Sequence, residues 1–230
     1  DAANIIDADV AVLTSVDLDH QQWLGNTRTK IAKEKLGIAR PGKPLIIGES
    51  NHPDNFAQLV ASTKADALWI GQDFDYRAQN QQFSVNLCAA ENQPISVDML
   101  ANHGPLAVNK TIALQALASL GCSLDSKTCQ RALQNIPIVG RQQQMEYQSI
   151  PMILDVAHNP AAALKLAENL KDRPGKTIAV ASVLDDKDWQ SMVENLHSQI
   201  DYWFIAELAG ISRAAKGQSL LKLLYNTGCE

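Results

Sequence analysis

The stretch Met152-Ile-Leu-Asp155-Val-Ala-His158-Asn-Pro160 contains the transition that decides the fold. Its apolar start has the character of a short buried strand. The Asn-Pro step at its end is typical of a helix start, because asparagine caps free backbone N–H groups and proline fits the first helical position. Apolar positions then continue at helical spacing through 161–171. The stretch therefore predicts a strand followed directly by a helix, the repeating unit of an α/β sheet.

The same alternation extends in both directions along the chain and predicts the α/β class throughout. Strands are predicted at 10–16, 45–48, 68–71, 83–89, 95–100, 152–156, 177–184 and 202–208. Helices are predicted at 27–37, 56–64, 106–120, 126–135, 161–171, 189–199 and 218–225. We expect 83–89 and 95–100 to form an antiparallel edge beside a parallel core.

A linker separates the predicted elements into two domains. The segment 136–150 contains Pro137, Gly140 and the polar run 142–144, a composition typical of a connection between units. The elements after it form a βαβαβα unit of Rossmann type, with fewer strands than such a sheet usually has. We therefore place the two domains at residues 1 to 147 and 148 to 230, and expect the second domain to be incomplete.

Composition narrows the function classes. The chain has 20 basic and 25 acidic residues, a formal charge of -5, and no basic tract that would follow nucleic-acid phosphates. No apolar run reaches the roughly 20 residues that span a bilayer. The four cysteines lack the spacing of a zinc site or a disulfide framework, which favours a reducing compartment. We therefore expect a cytoplasmic monomer that binds neither nucleic acid nor membranes.

Candidate functional side chains follow the first predicted strand. The segment Thr14-Ser-Val-Asp17-Leu-Asp19-His20 places two carboxylates and an imidazole at a strand end, where α/β proteins bind ligands. It is compatible with a metal ligand and also with a solvated loop whose aspartate caps a helix. Lys35 lies near the end of the next predicted helix, where a lysine opposes the helix dipole and Gly37 supplies the stop. These residues alone indicate an ordinary helix end.

Asp155 and His158 are not explained by helix capping. A strand end beside a helix N-terminus suits an anion, so Asp155 is a candidate for holding a ribose hydroxyl and His158 for facing a phosphate. Capping accounts only for Asn159 and Pro160. The acidic loop 185–188 follows another strand, and either caps the next helix or lines a substrate cleft.

Five segments occur in an informative order. They are Asp1-Ala-Ala-Asn-Ile, Leu18-Asp-His-Gln-Gln-Trp-Leu-Gly25, Glu34-Lys-Leu-Gly-Ile38, Gly140-Arg141 and Asp155-Val-Ala-His-Asn-Pro160. In this order the chain resembles the bacterial bifunctional dihydrofolate synthase/folylpolyglutamate synthases, a family within the Mur ligase superfamily. The resemblance implies that 1–147 is the C-terminal portion of a central ATP-binding domain and 148–230 a Rossmann-like glutamate ligase domain.

The resemblance implies an ATP-dependent ligase that requires Mg²⁺ and adds L-glutamate to dihydropteroate and to folates. ATP phosphorylates a substrate carboxylate to an acyl phosphate, and the amine of glutamate then displaces phosphate. The glycine-rich phosphate loop of the family has no counterpart in these 230 residues, so we expect a fragment that is inactive alone. The alternatives are a Mur ligase of peptidoglycan precursor synthesis and a non-catalytic nucleotide-binding module.

The resemblance assigns metal and pterin roles to four residues. His20 aligns with a Mg²⁺ ligand, and Lys35 aligns with a lysine that CO₂ carbamylates. Carbamylation converts a cation into an anion with two oxygens, which suits a hard divalent cation. Asp1 and Ala2 align with part of the pterin-binding segment.

Four further residues are assigned to the nucleotide by the same resemblance. Asn109 aligns with an adenine contact, Arg141 with a contact to ATP phosphate, and Asp155 with a ribose contact. His158, in the same loop as Asp155, is assigned a catalytic place beside the γ-phosphate.

Overall fold

The computed structural model describes residues 2–18, 24–79, 81–89, 93–102, 106–134, 138–171 and 173–228. The chain divides into two compact units, Asp1–Ile138 and Val139–Glu230. Both units combine helices with β-sheets, so the α/β class expected from the sequence is confirmed. The predicted ligand His20 and the predicted pterin contact Asp1 lie outside the described residues.

The first unit contains a parallel sheet whose strands pair in the order β1-β2-β3. A 3-10 helix, Ala2–Ile5, precedes it, and its elements are β1 (Ala11–Leu13), α1 (Arg28–Lys35), β2 (Pro44–Ile47), α2 (Phe56–Thr63) and β3 (Asp66–Trp69). The central strand is covered on both faces, because Leu45, Ile46 and Ile47 are all fully buried. Because β1 and β2 are parallel, their carboxyl ends lie at the same edge of the sheet.

A second sheet of the first unit is antiparallel. It consists of β4 (Asp75–Gln79), β5 (Gln82–Cys88) and β6 (Pro94–Ala101), followed by α3 (Ala107–Ser119) and α4 (Ser126–Gln134). The sequence predicted β5 and β6 as an edge of the parallel sheet, whereas they pair with β4 in a sheet of their own. β4 was missed because only Tyr76 and Ala78 of its five residues are not strongly polar, and both are exposed, so the apolar signal of a half-buried strand is weak.

Helix α3 packs against both sheets of the first unit, where it contacts β1, β2, β4 and β5. Its Ile112 belongs to a buried cluster that includes Ile46, Phe83 and Leu100. Gly48, directly after β2, allows the close approach: a Cβ there would lie 2.1 Å from the Ile112 Cδ1 and 3.2 Å from the Thr14 carbonyl oxygen. The packing of α3 against the end of β2 therefore requires a residue without a side chain at position 48.

The second unit places three helices around short strands. Its elements are β7 (Gln143–Tyr147), β8 (Ile150–Leu154), α5 (Pro160–Leu170), β9 (Ile178–Ala181), α6 (Trp189–Leu196), the 3-10 helix His197–Gln199, β10 (Tyr202–Ile205) and α7 (Gly217–Asn226). β9 and β10 are parallel, and β7 and β8 form an antiparallel hairpin. Trp189 and Trp203 pack edge to face in the core, with ring centroids 5.7 Å apart.

The predicted linker contains a strand. Residues 143–147 pair with β8, and the turn residues Gln148 and Ser149 have φ values of 49° and 64°, as a two-residue hairpin turn requires. The turn residues are not the Asn-Gly or Asp-Gly pair that marks such a turn in a sequence. The two compact units divide between Ile138 and Val139, so the whole hairpin belongs to the second unit. A boundary near 148, as expected from the sequence, would lie inside the hairpin.

Replacing Gly48 with alanine is expected to destabilise the first unit by about 1–3 kcal/mol, because the new methyl group would displace a packed isoleucine. Urea unfolding measures the loss. Gly37→Ala is the matched control, since a Cβ at Gly37 meets only the Asn4 Nδ2 at an ordinary 3.7 Å. Equal stability of the two variants would contradict the packing argument.

Candidate functional site

The end of β1 and the end of α1 meet at Lys35 in the first unit. Lys35 is the last residue of α1, is half-buried, and donates from Nζ to the Ser15 carbonyl oxygen at 2.9 Å. Ser15 lies two residues after β1, in the segment that leads towards residue 20. The sequence showed Lys35 only as an ordinary helix end, whereas the fold places its nitrogen at the ligand-binding edge of a parallel sheet.

A carboxylate fixes this strand-end loop. Glu49 follows Gly48, and its Oε2 accepts from the Val16 N–H at 2.7 Å while its Oε1 accepts from the Asn51 N–H at 2.7 Å. Arg28 donates from Nε to the Val16 carbonyl at 2.8 Å, and its Nη2 lies 3.5 Å from the Glu49 Oε2. The sequence reasoning missed Glu49 and Arg28. The strand-end rule that nominated 17–20 would also have nominated Glu49.

Asn109 lies in the first turn of α3 and its side chain is exposed. The adjacent Lys110 is buried, donates from Nζ to the Ala101 carbonyl at 2.7 Å, and lies 5.7 Å from the centroid of the Phe83 ring. Burial lowers the pKa of Lys110. Lys110 therefore joins the end of β6 to the start of the helix that carries Asn109.

In the second unit, the Asp155 carboxylate connects two stretches of backbone. Its Oδ2 accepts from the Gln142 N–H at 2.9 Å and its Oδ1 accepts from the Ala157 N–H at 2.7 Å. Asp155 directly follows β8, and Asn159 caps α5 by accepting from the Ala162 N–H at 2.9 Å. The predicted strand-to-helix transition is confirmed here. Asp155 thus organises the strand-end loop as well as being available to a ligand.

Arg141 and His158 flank Asp155. Arg141 is exposed and follows Gly140, which has a φ of 67° and whose added Cβ would lie 2.7 Å from the Val156 Cγ1. The Gly140 carbonyl accepts from the Val156 N–H at 2.8 Å, and the His158 Nδ1 lies 3.0 Å from the Val156 carbonyl. The second unit therefore brings Arg141, Asp155 and His158 to one loop cluster at the end of β8.

The aspartates of the acidic loop 185–188 make different contacts. Asp188 caps α6 by accepting from the Ser191 N–H at 3.1 Å, which is the capping alternative. Asp186 accepts from the Arg213 Nη2 at 2.8 Å, and this hydrogen bond holds the pKa of Asp186 below its usual value. Asp188 is therefore explained structurally.

Two kinds of feature are absent from the described residues. No group of three or more His, Cys, Asp or Glu side chains in this part of the chain is arranged to hold a metal ion. None of the described helices combines the length and the apolar character that crossing a bilayer requires. Ala2, the second predicted pterin contact, lies in the 3-10 helix that precedes β1.

Comparisons with known proteins agree with this architecture. Residues 140–229 match the family described as Mur ligase, glutamate ligase domain. The dihydrofolate synthase/folylpolyglutamate synthase of Haemophilus influenzae is 34% identical to this chain. The alignment is 248 residues long including gaps, and it covers 97% of this chain and 54% of that protein. The chain spans about half the length of the curated relatives it matches.

Solved structures give the same picture. The structure of E. coli FolC in complex with DHPP and ADP matches with a TM-score of 0.88 and 34% identity, over 97% of this chain and 53% of that chain. A bifunctional folylpolyglutamate synthase/dihydrofolate synthase with Mn, AMPPNP and L-glutamate bound matches with a TM-score of 0.84 and 33% identity, over 97% and 53% of the two chains.

Replacing Asp155 with alanine is expected to loosen the loop at the end of β8. The Gln142 and Ala157 amides lose charge-assisted bonds, so their hydrogen exchange should accelerate about tenfold or more. NMR-detected exchange on the 230-residue chain measures this. Asp185→Ala, at an exposed aspartate of the same unit, is the control and should leave both amides unchanged. Unchanged exchange in Asp155→Ala would show that the carboxylate does not hold the loop.

Proposed function

We propose that this chain is part of a ligase of the Mur ligase superfamily, that it corresponds to about half of a dihydrofolate synthase/folylpolyglutamate synthase, and that its protein uses ATP to join L-glutamate to dihydropteroate and to folates. The observation that carries the proposal is a similarity that extends over 97% of the chain, with a TM-score of 0.88. The relatives' bound ADP, DHPP, Mn, AMPPNP and L-glutamate support the choice of substrates.

The proposed reaction has two steps. A carboxylate oxygen of the pterin substrate attacks the γ-phosphorus of ATP, which forms an acyl phosphate and releases ADP. The glutamate amine then attacks the acyl carbon, the C–O bond to phosphate breaks, and the amine loses a proton as the amide forms. The protein must hold both reactants in line and balance phosphate charge.

Lys35 is proposed to act as a carbamate on the metal side of this reaction. A divalent cation at this edge would offset phosphate charge, and His20 and carbamylated Lys35 would hold it. The described geometry fits the modification. A carbamylated Nζ retains one N–H, which can continue to donate to the Ser15 carbonyl and so fix the plane of the new carboxylate.

Arg141, Asp155 and His158 are proposed as nucleotide contacts of the second unit. For the first unit taken by itself, Asn109 is proposed as an adenine contact. Asp155 already accepts two backbone N–H groups, and each carboxylate oxygen has a further lone pair with which to accept a ribose hydroxyl. Arg141 is exposed and cationic, as a phosphate contact requires. His158 is proposed to face the γ-phosphate.

The pterin side of the site is proposed to include Asp1 and Ala2. We propose a cytoplasmic location, in line with the cysteine spacing, and a monomeric state. The 230 residues alone are proposed to lack turnover, because they contain no glycine-rich phosphate loop.

The proposal is tested with the longest natural reading frame that contains this sequence. We expect ADP release that requires both glutamate and dihydropteroate, measured by a coupled assay, and none from the 230 residues alone. UDP-linked muropeptides are the competing substrate. Turnover of muropeptides in place of dihydropteroate would show a peptidoglycan ligase, and ATP binding without turnover would show a nucleotide-binding module.

Lys35→Ala in the same protein is expected to lower kcat about a hundredfold or more, because the metal loses an anionic ligand. Acetate or formate in the buffer should restore part of the activity by taking the place of the carbamate. Lys33→Ala, at an exposed lysine two residues earlier in α1, is the control and should retain full activity. Full activity of Lys35→Ala would exclude the carbamate role.

A further inference from the structure

The Arg40 guanidinium bonds to several segments of the first unit. Its Nη1 donates to the Gly37 and Ala39 carbonyls, each at 3.1 Å. Its Nη2 donates to the Asn4 carbonyl at 2.9 Å and to the Asn4 Oδ1 at 3.0 Å, and its Nε donates to the Asp7 Oδ1 at 2.5 Å. A guanidinium has five N–H donors, and each of them makes one of these five hydrogen bonds.

These partners come from separate parts of the chain. Asn4 belongs to the 3-10 helix Ala2–Ile5, and Asp7 follows it. Gly37 and Ala39 belong to the turn that begins directly after Lys35, where α1 ends. Arg40 therefore joins the N-terminal 3-10 helix to the turn beside Lys35 in a fixed register, and its planar fork matches this arrangement in a way that a lysine ammonium cannot.

The segment that Arg40 holds is poorly anchored in other respects. Its neighbours Ile5 and Ile6 are among the most exposed large apolar residues of the chain, so they contribute little burial to its stability. A pair of exposed isoleucines on a fixed backbone also provides apolar surface on which a flat ring can lie. Arg40, rather than packing of Ile5 and Ile6, thus anchors this segment through Asn4 and Asp7.

We infer that Arg40 is the positioning residue for the pterin substrate. It sets the place of the Ala2–Ile5 segment relative to Lys35, and so the distance between the pterin ring and the carboxylate to be activated. This inference rests on the proposed function, in which Asp1 and Ala2 contact the pterin. Arg40 itself does not need to touch the substrate, because only a quarter of its side chain is exposed and its donors are engaged.

The test uses the longest natural reading frame and steady-state ADP release with dihydropteroate and ATP varied separately. Arg40→Gln should raise the KM for dihydropteroate about tenfold and leave the KM for ATP within about twofold. The reason is that the variant loses the charge-assisted bonds that hold the proposed pterin-binding segment, and no bond to a proposed nucleotide contact. The KM of Arg40→Lys for dihydropteroate should lie between those of the wild type and Arg40→Gln, since lysine retains the charge but not the planar array of donors. Lys43→Ala removes the neighbouring exposed pair with Asp9, at 3.1 Å, and should change neither KM.

An unchanged KM for dihydropteroate in Arg40→Gln, or an equal rise in both KM values, would overturn the inference, because a general loss of structure does not distinguish the substrates. If Arg40→Gln does not fold, Asn4→Ala replaces it: this variant removes one acceptor and should raise only the dihydropteroate KM, about twofold to fivefold. Absence of dihydropteroate-dependent turnover in the wild type refutes the proposed function and this inference together. An active wild type with a normal Arg40→Gln refutes the inference alone.

Discussion

The first unit depends on the absence of a side chain at residue 48. Helix α3 can lie against the ends of β1 and β2 only because its Ile112 occupies the space that a Cβ of Gly48 would fill. The same contact lies close to Asn109 and Lys110, because both precede Ile112 by less than one helical turn. Packing at one glycine therefore supports a hydrophobic core close to a candidate nucleotide contact.

Polar side chains then fix the loops that packing leaves unsupported. Glu49, Asp155 and Arg40 each bond to backbone groups of two different segments. A charged group bound to backbone N–H or C=O groups forms stronger bonds than a neutral pair, and its loss leaves those groups unpaired. Asp155 also has a proposed chemical role of its own, and Arg40 bonds to the segment that directly follows Lys35. Loop order and chemistry are thus coupled, and a substitution at Asp155 is expected to affect both.

The sequence predicted most elements, because the signals for them are local. Asn159 and Pro160 specify a helix start by their own chemistry, and the apolar run of β2 specifies a buried strand. β4 is different: its polar residues become a strand only through pairing with β5, which is a contact between segments. The hairpin turn at Gln148 likewise uses residues that give no turn signal. The role of Arg40 was missed for the same reason, since its partners Asn4 and Asp7 are distant in sequence.

Lys35 shows where sequence reasoning about a site ends. As an ammonium it is a helix-end lysine, and its bond to the Ser15 carbonyl satisfies one of three donors. As a carbamate it would have a single donor and two anionic oxygens, and the same bond would orient the whole group. The amino-acid sequence is identical in the two cases, so the residue type cannot distinguish them. The two species differ in what they need around them: a divalent cation, as in the proposed function, favours the anionic carbamate, whereas a solvated helix end favours the ammonium.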